Sequence, residues 1–406
     1  MSRIDQFLAY INKTFKINSL FECLEDGRIN PDVPMSKIAM AVFLGSAFRI
    51  RSVSELERQC SQGMLKGRIG PISDDTFGYG LDHVDSLGFW DIWMSLNKLI
   101  KRNGILRKNA FNGKIVSVLD GIETLSSYSR CCDRCLSREI TRNDQVHIQY
   151  YHRSVVLSLS GFDHPIPLAL EMMRPKEGEV DCGLRLLQRL TKRLGPRFLD
   201  IVIGDALYCT PAFFHGCKEL GIQPGAVLKD NQPSLLQESR TLKKIIKPVY
   251  SNHTRKSDIR LWDIKNVHWE TGDCMVRVIW ADRKDRVTTE VGKKRKIKEE
   301  VKINAFAFST DLDSIPTRFL YRIGKRRQDI DSHLFQDMTQ NCFLKHPTLH
   351  FNNAYENLLI IRMLAYLLMQ FFFHRHINSR RIYRIESISH LVKEIVNSLI
   401  ISQAPS

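Results

Sequence analysis

Apolar positions recur with two different periods along this chain, and the switch between them falls near residue 114. Before it, residues 1–110 read as helical, with breaks at Asn30-Pro31, Pro34, Gly45 and Gly70-Pro71. Ser52-Val53-Ser54-Glu55 has the spacing of a capping box and opens a helix that Gly63 stops, and Ser73-Asp74-Asp75 caps the next. Short helices around such turns fit either a helix-turn-helix or an ordinary helical bundle.

Past residue 114 the period becomes that of strands. Ile115-Val116-Ser117-Val118-Leu119 runs into Asp120-Gly121, a cysteine-containing loop follows, and Val146–Leu159 and Ile166–Met172 supply two more strands. Glu179–Leu194 then places Val180, Leu184, Leu187, Leu190 and Leu194 on one helical face. Phe198–Ile203 is a buried strand broken at Gly204, followed by a helix over 211–220, a strand over Gly225–Lys229 and a helix near Ser234–Lys247. The order β-β-β-α-β-α-β-α predicts an α/β fold, a ribonuclease-H-like mixed sheet flanked by helices, in which an antiparallel trio is extended by parallel strands through crossover helices.

Residues 248–320 interrupt that order as a β-rich insertion, with strands over Asp258–Asp263, Cys274–Ala281 and Val301–Ser309. Helices return over Ile323–Phe343, Asn353–Phe373 and Ser387–Ile401. The expected organisation is therefore an N-terminal helical region (1–110), DNA-binding if its turns form a helix-turn-helix, the first part of the ribonuclease-H-like core (111–247), the insertion (248–320) and a helical end of that core (321–406).

Charge narrows the partners. The 60 Lys plus Arg exceed the 44 Asp plus Glu, a formal charge of +16, which favours a polyanion. Met1-Ser2-Arg3-Ile4-Asp5-Gln6 lacks the apolar core of a signal peptide, so a cytoplasmic protein is expected. Leu358–Phe373 is interrupted by Arg362 and Gln370 and reads as a buried helix, with no membrane partner.

Three acids carry the candidate chemistry. Asp120 and Asp205 each follow a hydrophobic strand, and Asp331 lies on a helix four residues after Arg327. Singly, each fits a turn, a helix cap or a surface ion pair. Together, hard carboxylate oxygens on the first and fourth strands of one sheet and on one helix suit a pair of Mg2+ ions about 3.5–4 Å apart, as phosphodiester cleavage requires.

In this respect the chain resembles the DDE transposases of bacterial insertion sequences, in the branch with a β-rich insertion before the last acid. The matching segments are Leu119-Asp120-Gly121, Cys132-Asp133-Arg134-Cys135-Leu136, Tyr150-Tyr151-His152, Asp181-Cys182-Gly183, Gly204-Asp205-Ala206-Leu207-Tyr208, Val227-Leu228-Lys229-Asp230 and Arg327-Gln328-Asp329-Ile330-Asp331. The resemblance implies Asp120, Asp205 and Asp331 as catalytic metal ligands, two Mg2+ ions with Mn2+ as a substitute, transposon-end and target DNA as substrates, and a homodimer assembled on DNA. Where the family carries Arg-Trp-x-Ile-Glu, this chain has Gln328 in place of the tryptophan and Asp331 in place of the glutamate. Two other readings therefore stand beside an active transposase: a transposase-derived DNA-binding protein with an impaired site, and a metal-dependent nuclease without strand transfer.

Basic residues expected on DNA are Arg327, Arg326, Lys325 and Lys229, with Lys293, Lys294, Arg295 and Lys296 in the insertion. A solvated turn explains the insertion's run equally well. Cys132-x-x-Cys135 pairs with His147 and His152 on paper as a Zn2+ site, but the two histidines have opposite parity on their strand. Reduced, partly buried thiols are the favoured expectation there.

Overall fold

The computed structural model of the chain describes residues 2–108, 110–161, 164–291, 294–346, 349–350, 352–378 and 386–401. Its first part is helical: α1 (Arg3–Phe15), α2 (Ile17–Glu22), α3 (Met35–Ala47), α4 (Val53–Ser61), α5 (Asp74–Asp82), α6 (Ser86–Arg102) and α7 (Ile105–Lys108). The expected caps are present, since Ser52 Oγ accepts from Glu55 N at 3.1 Å and Ser73 Oγ from Thr76 N at 3.2 Å. The connection between α4 and α5 runs over 62–73, longer than the turn of about 3–4 residues in a helix-turn-helix.

Next come β1 (Val116–Ser127), β2 (Leu136–Arg142), β3 (Gln145–Leu159), β4 (Ile166–Met172), α8 (Glu179–Leu194), β5 (Ile201–Gly204), α9 (Pro211–Glu219), β6 (Gln223–Val227) and α10 (Pro233–Ile245). β1 lies antiparallel to β3 and parallel to β5, and β5 lies parallel to β6. Along its other edge β3 pairs first with β2 and then with β4. The path β4-β3-β1-β5-β6 is the antiparallel trio extended by parallel strands that the element order predicts, a ribonuclease-H-like arrangement.

β7 (Tyr250–His253), β8 (Ser257–Trp269), β9 (Cys274–Val291) and β10 (Lys294–Ser309) follow. This β-rich insertion continues the core sheet. β10 pairs antiparallel with β6, Phe306 opposite Val227, so these strands extend the same sheet to ten. Apolar alternation along β9 and β10 buries Val276, Val278, Trp280, Ala305 and Ala307 on one face, and Ile279, Phe306 and Phe308 on the other.

Three expected boundaries move. β1 continues seven residues past Asp120 because β3 is long enough to pair with it as far as Ser127. The strand expected from Phe198 starts at Ile201, because Asp200 turns its carboxylate back to accept from Ile115 N at 2.7 Å. The helix expected over 323–343 is interrupted: α11 (Thr317–Arg326) gives way to a wider π-helical turn over Ile330–Phe335 before α12 (Gln336–Asn341).

α13 (Asn352–Phe371) and α14 (Ile388–Ile401) close the chain. α13 is apolar on all sides and is accordingly enclosed on all sides, by α3, α5, α6 and β4. Among the described residues, Asn353–Ile377 is the one helical stretch long and apolar enough to cross a membrane, and it lies inside this core. Its buried Asn357 is anchored through Nδ2, which donates to the carbonyls of Leu81 at 2.8 Å and Val84 at 2.9 Å.

Candidate active site

The sheet brings the first two acids to one edge. β1 pairs with β5 only from Val116 to Val118, so the two parallel strands part just before Asp120, and Asp205 follows the last residue of β5. Asp120 stays mid-strand, opposite Val156 of β3. A side chain at Gly121 would run into the Glu179 carboxylate and one at Gly204 into the Tyr208 ring, so glycine at both places lets the strands and α8 close up around the acids.

The third acid arrives from the π-helical turn. Arg327 Nη2 lies 2.9 Å from Asp120 Oδ2, 3.0 Å from Asp331 Oδ2 and 4.0 Å from Asp205 Oδ2. One guanidinium therefore gathers three carboxylates from positions 120, 205 and 331. All three sequence-nominated acids share one site, and Arg327 is the residue that ties them together.

Their surroundings differ in a useful way. The Asp120 side chain is 8% exposed, against 35% for Asp205 and 49% for Asp331. Burial, only partly offset by Arg327 and reinforced by Asp331 and Asp205, pushes the Asp120 carboxyl up to about 7. Three carboxylates facing one guanidinium leave an excess of negative charge that a proton or a cation relieves. Asp120 Oδ1 accepts from Gly121 N at 2.9 Å, and Asp205 Oδ1 accepts from Leu207 N at 2.8 Å, capping the short turn Ala206–Tyr208. Each of these acids thus holds its orientation through one oxygen and turns the other towards the cluster. Carboxylate oxygens are the donor type that divalent magnesium takes, and in this structure the Arg327 guanidinium stands between them.

Behind the acids lies a layer that the linear pattern did not single out. Glu179, at the start of α8, is buried and ion-paired with Arg153 of β3. Tyr208 is fully buried, and burial with the nearby Glu179 and Asp120 carboxylates holds its phenol well above the usual value, so it stays protonated. Glu179 sits two residues from the quoted Asp181-Cys182-Gly183 segment, and only the tertiary packing of α8 against β1 reveals its position.

The basic candidates separate. Arg326 Nη1 pairs with Asp329 Oδ2 at 3.0 Å, beside a cavity of about 260 Å³ lined also by Val118, Ser158 and His333. Val118 and Asp120 share a face of β1, which puts this cavity on the side of the carboxylates. Lys325 turns the other way, towards Arg283, Lys302 and Asp285; burial and then the two like charges lower its pKa. Lys229 is exposed just past the end of β6, on the sheet edge that carries Asp205, and Asn231 Nδ2 ties that loop to the Ala206 carbonyl at 2.6 Å. Lys293 lies outside the described residues, and Lys294, Arg295 and Lys296 fall at the start of β10, far along the sheet from the acids.

No protein-family model matches the sequence, and no curated protein matches it. Among solved structures, the chain is similar to a piggyBac transposase in its synaptic complex with hairpin DNA, at a TM-score of 0.43 and 11% identity, covering 100% of this chain and 82% of that one. That likeness is too distant to assign chemistry to any residue, and the bacterial insertion-sequence affiliation gains nothing from it.

Proposed function

We propose that the chain is a DDE-type transposase, a metal-dependent enzyme that cuts DNA at transposon ends and joins the freed 3′-hydroxyl to target DNA. The observation that carries this reading is the convergence of Asp120, Asp205 and Asp331 on one sheet edge around Arg327. These three acids would hold two Mg2+ ions, which Mn2+ replaces. Such ions, when bound, activate the attacking oxygen and stabilise the leaving one.

The chain's own residues do the positioning. Arg327 keeps Asp120 and Asp331 facing each other and limits their repulsion. The buried backbone around Asp120 fixes one acid firmly, while the more exposed Asp205 and Asp331 leave room for a phosphodiester. Lys229 on the same edge supplies a contact for the DNA backbone, and Lys294, Arg295 and Lys296 on the β9–β10 hairpin a more distant one. Two copies of the chain act together on paired ends.

The test is purified protein with Mg2+ and a labelled duplex carrying the element end. Cleavage followed by joining supports the transposase. Cleavage without joining makes the chain a nuclease. Tight end binding without cleavage supports an impaired transposase-derived DNA-binding protein, a reading favoured by the shorter Asp331 and by an arginine lodged among the three acids.

A further inference from the structure

A second cluster has no part in that chemistry. The ligand-type atoms of Cys132, Cys135, His152 and His350 all lie within 4.8 Å of one another. Cys132 Sγ is 3.7 Å from Cys135 Sγ and 3.3 Å from His152 Nε2. Cys135 Sγ is 3.5 Å from His152 Nε2 and 3.0 Å from His350 Nε2. A tetrahedral ion with bonds of about 2.3 Å to sulfur and about 2.0–2.1 Å to nitrogen sets its sulfurs roughly 3.8 Å apart and each sulfur roughly 3.6 Å from each nitrogen. The observed spacings are close to that figure, with the Cys135–His350 contact the tightest.

The geometry points to a structural Zn2+ site of Cys2His2 composition, formed by Cys132, Cys135, His152 and His350.

Several features fit a closed structural site. The Cys132-x-x-Cys135 turn is formed, with Cys135 N donating to the Cys132 carbonyl at 3.0 Å and Cys132 N donating to Cys135 Sγ at 3.4 Å. The second bond is of the kind that steadies a thiolate. His152 and His350 are 2% and 9% exposed and both present Nε2 to the sulfurs, which leaves Nδ1 to carry the ring proton. The His152 ring is held between Tyr355, 4.8 Å away between ring centroids, and the edge of His350 at 5.3 Å, and neither Nδ1 has a hydrogen-bond partner among the described residues. Two sulfurs and two imidazoles select zinc over magnesium, which separates this site from the carboxylates.

The fourth ligand is not the one the linear pattern nominated. His147 is exposed on β3 and packs edge-on to Tyr128 at 6.3 Å between ring centroids, as its parity requires. His350 replaces it, 215 residues from Cys135. A metal there would close a long loop of chain, fastening the β1–β2 connection and β3 to the approach to α13. The surroundings already converge on this junction: Arg134 reaches Glu356 at 3.0 Å and Asn353 at 2.9 Å, and the Tyr355 ring lies 4.8 Å from that of His152. The inference stands whether or not the carboxylate site cuts DNA.

Full-length protein purified from zinc-supplemented medium, without chelator, should contain one zinc per chain by plasma mass spectrometry. X-ray absorption should find two sulfur and two nitrogen neighbours. Cys135→Ser and His350→Ala should lose the metal, whereas His147→Ala and Cys131→Ser should keep it. Should the ligand variants fail to fold, wild-type protein stripped of metal and titrated with Co2+ gives the answer: intense tetrahedral visible bands with a thiolate charge-transfer band, saturating at one equivalent and displaced by Zn2+. Zinc retained in full by Cys135→Ser, a weak octahedral cobalt spectrum, or a metal-free Cys132–Cys135 disulfide in protein purified under reducing conditions would each overturn the proposal.

Discussion

The carboxylate cluster and the Cys/His cluster share the strand pair β1 and β3, yet they are opposite kinds of polar site. Asp120 faces Val156 across that pair, and Leu125 faces His152, four positions from Val156 along β3 and roughly 14 Å away at strand rise. One cluster holds hard oxygens, carries surplus charge and opens to solvent through Asp205 and Asp331. The other holds sulfur and nitrogen donors that face one another, with both imidazoles buried. A reactive centre needs open positions and tolerates electrostatic stress, whereas a structural centre satisfies its donors among themselves. The contrast predicts that the two sites respond independently to mutation.

The largest expected effect lies at the acids. Asp120→Asn or Asp205→Asn should reduce Mg2+-dependent cleavage by more than about 100-fold, since even groups one shell removed from a metal commonly cost 10–100-fold. End binding, read by fluorescence anisotropy, should stay within about threefold, and zinc content should not change. Cleavage retained in either variant removes the carboxylates from the mechanism.

Loss of a thiolate should do the reverse. Cys135→Ser is expected to lower the melting temperature by roughly 5 °C or more, because metal affinity is coupled to folding, while Asp120→Asn should leave it unchanged or raise it. Equal melting temperatures for Cys135→Ser and wild type would erase the distinction between the two sites.

What the sequence disclosed about each site follows from where its residues sit. Asp120 and Asp205 were legible because an apolar run stops beside each, and Asp331 because Arg327 precedes it by one helical turn. The π-helical turn over Ile330–Phe335 was not legible, since a π-turn has the same apolar pattern as an α-helix over so few residues. Cys132, Cys135 and His152 of the Cys/His cluster were named from the sequence, but His350 sits in a connector with no periodic signature, and only the packing of α13 brings it to β3. The sheet trio and its parallel extension were read correctly; β2 and the merging of the insertion into the same sheet depended on strand pairings that no local pattern records.

Electrostatic stress at the acids gives a prediction of intermediate size. The folded-state pKa of Asp120 is raised from 3.8 to about 7, so the folded protein holds a proton that the unfolded chain releases earlier. Its stabilising contribution is complete below about pH 4 and is lost as pH rises towards and through 7. Metal-free protein should therefore melt at progressively lower temperature across that window and level off above it, and Mg2+ should restore the loss at pH 8. Calorimetry of Asp120→Asn should show this part of the pH slope gone; a slope identical to wild type would mean that Asp120 is not the group titrating.

The smallest change expected is for Asp331→Glu, at the acid whose side chain is one methylene shorter than a glutamate. Asp331 is held by Arg327 at 3.0 Å and is the most exposed of the three acids, so a longer side chain has room to extend. Asp331→Glu should keep strand transfer or raise it severalfold, because oxygen placement around Mg2+ tolerates little error and the added reach brings the carboxylate closer to Asp120 and Asp205. Asp331→Ala removes the oxygen altogether and should lose joining with the other two acids intact. If the wild type is inactive and Asp331→Glu joins ends, the present chain has kept the fold and the arginine while shortening the one ligand that made the site work. If Asp331→Ala stays fully active, the third acid lies elsewhere, and the ion pair with Arg327 is a structural tie of the π-helical turn and nothing more.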